Sequence, residues 1–426
     1  MEKNLNSVLN EVLKSINPSK QEIDFVEASS KEFKEKIEKK IKSLRIDAEV
    51  FIGGSFAKNT MIKKNKYDVD VFLRFNKKYK EEEIILLTKR LLEDFKEVST
   101  IHGSREYFQI KLKNDFFIEL VPVIKIRKPD ESKNITDLSY SHVRYIKKKI
   151  KQKKILDEIK ITKAFCHASH CYGAESYING FSGYSLELLV YYYGGFLKFI
   201  KAMIKIKEKT IIDLEKQFKN KQEILMDLNS SKLNSPIILI DPTYKQRNAL
   251  AALSSETFLK FQKFCKNFLK NPDLKFFREQ KIDLEKIFKD ARKKGQEFIL
   301  IEVKTEKQEG DVAGTKLFKF YKHLAYEINK FFDIKNQGFN YNEKKTARYF
   351  FVTKSKKEIL INGPLAKDKK NSIAFKKAHK GNFIKNGKIY AKEKISFGIK
   401  KFIETWKIKN KKKIVDMSIE NLRIIE

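Results

Sequence analysis

Apolar residues first recur at helical spacing. Leu5, Val8, Leu9, Val12, Leu13 and Ile16 fall on one face of a helix over residues 5–16. Pro18 interrupts that pattern, and Ser19 with Glu22 forms a capping box for a second helix running to about Leu44. The period then shortens to two. Val50–Ile52 reads as a strand, Gly53-Gly54 as a turn, and the segment carrying Asp68 and Asp70 as a second apolar strand. Residues 80–97 return to helical spacing. Two strands follow, Glu106–Leu112 and Phe116–Ile126, joined by a turn at Lys113-Asn114-Asp115. The expected product is a sheet with helices on one side, an α+β layered fold.

From Asp137 to Lys205 the chain reads mostly helical. Helices are expected over Ser139–Lys151 and Asp157–Cys171, and a third starts near the Gly180-Phe181-Ser182-Gly183 turn. Residues 206–235 are polar and suggest a helix and a surface loop. Ile237–Ile240 is a short strand ending in Asp241-Pro242; Arg247 then leads into a helix over Ser254–Leu269 that stops at Asn271-Pro272. Beyond about 274 the pattern is again mixed. Strands are expected at Phe298–Val303, Ala347–Thr353, Ile359–Ile361 and around Phe383–Ala391. Helices are expected over Val312–Phe332, in a short segment after Gly363-Pro364, and in a last stretch to Trp406. The lysine-rich run 407–413 reads as a solvated tail or linker. These patterns divide the chain at 1–136, 137–273 and 274–426.

The chemistry concentrates between Phe51 and Phe75. Side chains alternate faces along a strand, so Asp68 and Asp70 share one face while Val69 and Val71 take the other. Two carboxylates on a largely buried strand are costly unless a cation neutralises them, and Mg²⁺ beside substrate phosphates meets that need. Glycine at 53 and 54 lets the backbone come close to a phosphate, and the N–H groups that follow point toward it. Glu119, in an apolar strand expected beside the Asp-x-Asp strand, is a candidate third carboxylate. Three carboxylates holding two metals suit in-line displacement at phosphorus, with Ser55, Gly54 and Lys58 holding the outgoing phosphates.

Composition narrows the partners. At 426 residues and 41% hydrophobic content the chain can build several cores. The net charge of +36 favours a polyanion, nucleic acid first. Only 11 of the 91 basic residues are Arg, so part of that charge reflects a lysine-rich composition. Three cysteines do not make a disulfide framework. The polar, amphipathic N-terminus is not a signal peptide, and no uncharged run approaches membrane-spanning length. A cytoplasmic protein is expected.

Gly-Ser, about a dozen residues, then Asp-x-Asp on an apolar strand resembles the signature of the polymerase β nucleotidyltransferase superfamily. Further blocks resemble the archaeal-type (class I) CCA-adding enzymes: IELVPV around Glu119, KAFCHASHCYGAESYINGFSGYSLELLV at 163–190, LIDPTYKQRN at 239–248, and the C-terminal INGPLA and FIKNGKIYAKE. Their order runs nearly the full length. The resemblance implies a polymerase-β-like palm, a helical central domain and an α+β tail. It implies template-independent addition of C, C and A to tRNA from CTP and ATP, with Mg²⁺ as cofactor. Asp68, Asp70 and Glu119 then fall on the catalytic metal ligands. Gly54, Ser55, Lys58, His142, Lys163 and Tyr172 fall on nucleotide contacts, and Arg247 on an arginine that helps select the base. The tail would grip the acceptor stem and TΨC arm by shape. No membrane partner is implied, and a homodimer is left open.

Two residues depart from the family pattern. Lys58 stands where Arg is usual and loses the bidentate fork; Glu119 stands where Asp is usual and is one methylene longer. One extra residue between Ser55 and Asp68 is expected to be absorbed by a turn at Lys64-Asn65-Lys66. Without the resemblance the candidates have plainer readings: Glu119 as an edge-strand carboxylate, Lys163 as a solvated lysine, Tyr172 as a packed interface tyrosine, His142 as a capping or core histidine, and Arg247 as a surface arginine near a helix start. Lys163 and Tyr172 are nine residues apart, half a turn out of phase, so they can meet one ligand only if Tyr172 lies past the helix end, where Gly173 supports a stop. Cys166, His167, His170 and Cys171 could suggest zinc, but a straight helix does not bring all four together. A poly(A) polymerase, an oligoadenylate-synthase-like protein and a catalytically dead RNA-binding homologue are the rival functions.

Overall fold

The computed structural model describes residues 2–64, 66–103, 105–112, 116–279 and 282–426. The chain forms two compact units, residues 1–281 and 282–426. Two expected turns, at Lys64-Asn65-Lys66 and Lys113-Asn114-Asp115, fall wholly or partly outside the described residues.

The first unit opens with α1 (Glu2–Ile16) and α2 (Lys20–Ser43). The capping box at the start of α2 forms as the sequence indicates: Glu22 N donates to Ser19 Oγ at 3.2 Å, and Ser19 N donates to Glu22 Oε2 at 2.7 Å. Then come β1 (Ala48–Ile52), the short α3 (Gly54–Ala57), β2 (Asp68–Phe75), α4 (Glu81–Leu91), β3 (Val98–His102), β4 (Glu106–Lys111) and β5 (Phe117–Ile124). The sheet order is β1-β2-β5-β4-β3, with β2 and β5 parallel and the other neighbours antiparallel. Helices cover one face, where Val69, Val71, Leu73 and Phe75 of β2 pack with Val26, Phe33 and Ile37 of α2. At about 25 cal/mol per Å² of apolar area, this burial is the main force holding α2 to the sheet. The opposite face is left for Phe72, Val121 and Val123. The helix expected over 80–97 ends at Leu91, and β3, which the sequence pattern does not single out, follows it.

α5 (Ser139–Lys149), α6 (Lys153–Ala168), α7 (Gly183–Tyr193), α8 (Phe196–Lys205), α9 (Lys221–Asp227) and α10 (Ser255–Lys270) continue the first unit. Phe165, Phe181, Phe196, Phe199, Phe261 and Phe268 are fully buried at the centre of this helical core. Leu9 and Val12 of α1 pack into it too, so α1 joins the helices and not the sheet. Between α8 and α10 lies a small sheet of β6 (Thr210–Asp213), β7 (Ile237–Asp241) and β8 (Tyr244–Asn248). Two corrections belong here. The 206–235 stretch contains a strand, β6. Arg247 sits on β8 and not at a helix start; the polar sequence of β8 is held by its pairing with β7 and by the Asn248 side chain, which accepts from Leu239 N and Leu250 N, both at 2.9 Å.

The second unit holds α11 (Leu284–Lys293), β9 (Glu297–Lys304), α12 (Asp311–Asn329), β10 (Phe332–Tyr341), β11 (Thr346–Ser355), β12 (Glu358–Leu365), α13 (Lys369–Ala378), β13 (Asn382–Lys385), β14 (Lys388–Lys394), α14 (Ile399–Lys409), α15 (Lys411–Asp416) and β15 (Asn421–Ile424). Its main sheet is ordered β10-β11-β9-β15, and a smaller one β12-β14-β13. Leu317, Phe320, Leu324, Tyr349, Phe351 and Trp406 fill the core under α12 and α14. The run 407–413 is not a tail: it ends α14 and begins α15, and β15 then pairs with β9. Among the described residues no helix is long and apolar enough to cross a membrane.

Candidate active site

β2 and β5 run parallel in a register that sets Asp70 beside Glu119. Alternation puts Asp68, Asp70 and Glu119 on the face away from α2 and α4. Gln109 of β4 is the next cross-strand neighbour, and its Nε2 donates to Glu119 Oε1 at 3.4 Å. Gly53 and Gly54 fold back onto this row. Gly53 N donates to Asp70 O at 2.8 Å, and Gly54 has φ +61. A Cβ on Gly54 would lie 1.7 Å from Asp70 Oδ2, so only glycine lets the turn close over that carboxylate.

Electrostatics confirm how crowded the row is. Burial, then the Asp68 charge, pushes Asp70 above the ordinary carboxylate range. Burial, then Asp70 and Asp68, pushes Glu119 up to about 8. Lys64 Nζ pairs with Asp68 Oδ1 at 2.7 Å, and the Lys58 and Lys64 charges only partly offset the burial and repulsion on Asp70. Among the described residues no three His, Cys, Asp or Glu side chains close into a ready-made metal cage. The donor set nonetheless fits a hard divalent cation: all-oxygen, on one face, and ionised only at a cost that bound positive charge would remove.

A second cluster joins the turn to the helices. Lys58 Nζ donates to Glu187 Oε2 at 2.7 Å, and Lys163 Nζ to Glu187 Oε1 at 2.9 Å. Lys163 also donates to Thr60 Oγ1 at 2.8 Å, while the Thr60 hydroxyl donates to Glu187 Oε1 at 2.9 Å. Glu187 is completely buried; burial opposes its charge, but Lys163 and Lys58 outweigh it and bring the carboxyl down to about 2. Tyr172 approaches from α6's end. A Cβ on Gly183 would meet Tyr172 Oη at 2.7 Å and Lys163 Cε at 3.9 Å, so these two side chains do converge. The helix ends at Ala168, earlier than expected, and the left-handed residue behind the turn is His170 (φ 54), not Gly173 alone.

His142 and Arg247 form a third cluster around Asp241. His142 Nε2 lies 3.1 Å from Asp241 Oδ2, and Arg247 Nη1 donates to the same oxygen at 2.5 Å. Tyr184 Oη (3.0 Å) and Thr243 N and Oγ1 (both 2.8 Å) donate to Oδ1. The His142 and Tyr184 rings stack at 4.0 Å. Burial pushes His142 below its usual value, so the cation facing Asp241 is Arg247. The Lys58 charge also reaches His142, which links this cluster to the second.

Sequence reasoning singled out Lys58, Lys163, Tyr172, His142 and Arg247, but not Tyr184, the pairing of Lys64 with Asp68, or either acidic hub. Glu187 had a signal, a lone charge within the apolar run Leu186–Val190. Asp241 had one too, at the end of the apolar strand β7. The four Cys and His side chains at 166–171 go to different places: Cys166 and Cys171 into the core, His167 against the Tyr172 ring at 3.9 Å, and His170 toward Glu279.

A glycine turn closed over a two-carboxylate strand, with a third carboxylate in register on the parallel neighbour, is the arrangement expected from the resemblance to the polymerase β nucleotidyltransferases. The terminal uridylyl transferase Cid1 shares the fold, with a TM-score of 0.51 at 14% identity over 66% of this chain and all of that one. The profile of the tRNA nucleotidyltransferase second domain matches residues 157–278, and that of the second messenger oligonucleotide or dinucleotide synthetase domain matches 4–154. The CCA-adding enzyme of Methanocaldococcus jannaschii is 28% identical over 404 residues, covering 91% of this chain and 87% of that enzyme. That of Nanoarchaeum equitans is 36% identical over 211 residues, 49% of this chain, which spans about half (52%) of that enzyme. Over most of its length the chain is thus similar to the archaeal CCA-adding enzymes, and residues 157–278 match the second domain of the tRNA nucleotidyltransferases. Such nucleotidyltransferases generally depend on a divalent metal.

Proposed function

We propose that this protein adds C, C and A to the 3′ end of tRNA, from CTP and ATP, without a nucleic-acid template. The observation that carries it is the in-register pair Asp70–Glu119 with the Gly54 backbone closed over Asp70. Asp68, Asp70 and Glu119 would hold Mg²⁺, which supplies activation of the tRNA 3′-hydroxyl and stabilisation of the leaving pyrophosphate. The chain's own groups do the rest. Gly54 and Ser55 line the turn, Lys58, Lys163 and Tyr172 gather the triphosphate, and Gln109 orients Glu119. His142 and Arg247, braced by Asp241, face the base. Arg247 keeps a fixed guanidinium plane because a buried carboxylate holds one of its nitrogens, which suits reading a base edge by hydrogen bonds.

In this reading residues 1–136 are the catalytic palm, 137–273 the nucleotide-binding helical domain and 274–426 the tRNA-binding tail. A cytoplasmic site of action accords with a tRNA substrate. The deciding experiment offers a tRNA transcript lacking its last three nucleotides, Mg²⁺, and CTP, ATP or both, and sequences the products. Two C residues with CTP alone and a stop after CCA with both are expected. Long A tails would favour a poly(A) polymerase; bound but unextended tRNA would favour a catalytically dead homologue.

A further inference from the structure

Lys163 has three donors, and the structure uses all three: Thr60 O at 3.4 Å, Thr60 Oγ1 at 2.8 Å and Glu187 Oε1 at 2.9 Å. Its side chain is 3% exposed, and Glu187 is fully buried. Lys58, 9% exposed, spends one described donor on the other oxygen of the same carboxylate. Three residues from two layers thus meet on the Glu187 carboxylate of α7: Lys58 and Thr60 from the segment after the glycine turn, and Lys163 from α6. None of this is needed to hold apolar surfaces together, and burying a carboxylate in the middle of α7 is costly. A structural ion pair would also not need two lysines. A site that must present two positive charges side by side does, because unbalanced neighbours of like sign repel and one of them loses its proton.

We propose that Glu187 is a positioning residue for nucleotide binding: it holds Lys58 and Lys163 together as cations, and the incoming triphosphate takes over a Lys163 donor now spent within the cluster. This rests on the reading of Lys58 and Lys163 as triphosphate contacts. Burial, the Lys58 charge and the Lys64 charge all press Lys163 downward in pKa, and Glu187 is the group that opposes them. Thr60 and Tyr172 are its other polar neighbours. Removing the Glu187 charge therefore brings deprotonation of Lys163 to lower pH, and nucleotide affinity falls there as pH rises.

The test measures CTP–Mg²⁺ binding by calorimetry, without tRNA, for the wild type, Glu187→Gln, Lys163→Gln and the double variant. Glu187→Gln should weaken binding about tenfold, as loss of a charge-assisted contact does. The loss should deepen as pH rises, while the wild type changes less. The two losses should be less than additive in the double variant, since Glu187 acts in part through Lys163 and in part through Lys58. The double variant also leaves no uncompensated lysine at the buried position 163, so it serves if Glu187→Gln alone does not fold. Wild-type affinity in Glu187→Gln, a loss that is flat in pH, or additive losses in the double variant would each overturn the proposal. A wild type that binds CTP but never extends tRNA would instead sink the CCA-adding reading and leave this one standing.

Discussion

Gly54 shows how much a single position constrains the site. Its φ of +61 costs an L side chain about 1–2 kcal/mol, and a Cβ there would also collide with Asp70 Oδ2. Gly54→Ala should therefore fold, with a small drop in Tm, but move Asp70 and slow nucleotide incorporation by about 10²-fold. Single-turnover rates would check this, and an unchanged rate would mean the turn does not set Asp70. Asp241 carries a different load. It accepts from Arg247, Tyr184 and Thr243 and faces His142, and it is fully buried. Asp241→Ala should cost about 3–5 kcal/mol in urea unfolding, because Arg247 loses its partner and three further donors, Tyr184 Oη and Thr243 N and Oγ1, lose their acceptor. Arg247→Ala should cost less, since Asp241 keeps Tyr184 and Thr243. Neither hub is visible as a site residue from sequence spacing alone, because the partners of Asp241 lie at 142, 184, 243 and 247.

At the scale of elements, the parallel pairing of β2 and β5 creates a titrating unit. Glu119 is pushed up to about 8 from an ordinary value of 4.5, burial first and then Asp70 and Asp68. A raised acid keeps its proton in the folded state where the unfolded chain has released it. The metal-free protein should therefore lose stability as pH rises from about 4.5 to about 8, the sign following from more protons bound in the native state. Mg²⁺ should flatten that slope, since it favours the ionised carboxylates. Melting curves with and without Mg²⁺ would show it, and Glu119→Gln should make the slope shallower, leaving the part that the raised Asp70 contributes; an unchanged slope in that variant would place its origin elsewhere. Elements differ in how readily sequence reveals them. α2 and β2 carry their periodicity and caps within themselves. β6, β8 and β10 do not: they are short or polar, and a neighbour's ladder hydrogen bonds make them strands.

For the whole molecule, the second unit has its own core around Phe320, Tyr349 and Trp406. A fragment of residues 282–426 should fold alone, with cooperative melting by circular dichroism. The first unit by itself should still bind CTP but hold tRNA more weakly, and the full chain's tRNA affinity should fall steeply with salt, given a net charge of +36. Equal tRNA affinity with and without the second unit would remove it from the interface. By itself the sequence determined the glycine turn, the two aspartates on one strand face, the helix caps and the mixed α+β class, because each depends on residues near one another in the chain. Tertiary structure decided the parallel register of Asp70 with Glu119, the transfer of α1 to the helical core, and the gathering of Lys58 and Lys163 on Glu187 and of His142 and Arg247 on Asp241. Those depend on which surfaces meet, and a buried charge chooses its partners by distance in space, not by separation along the chain.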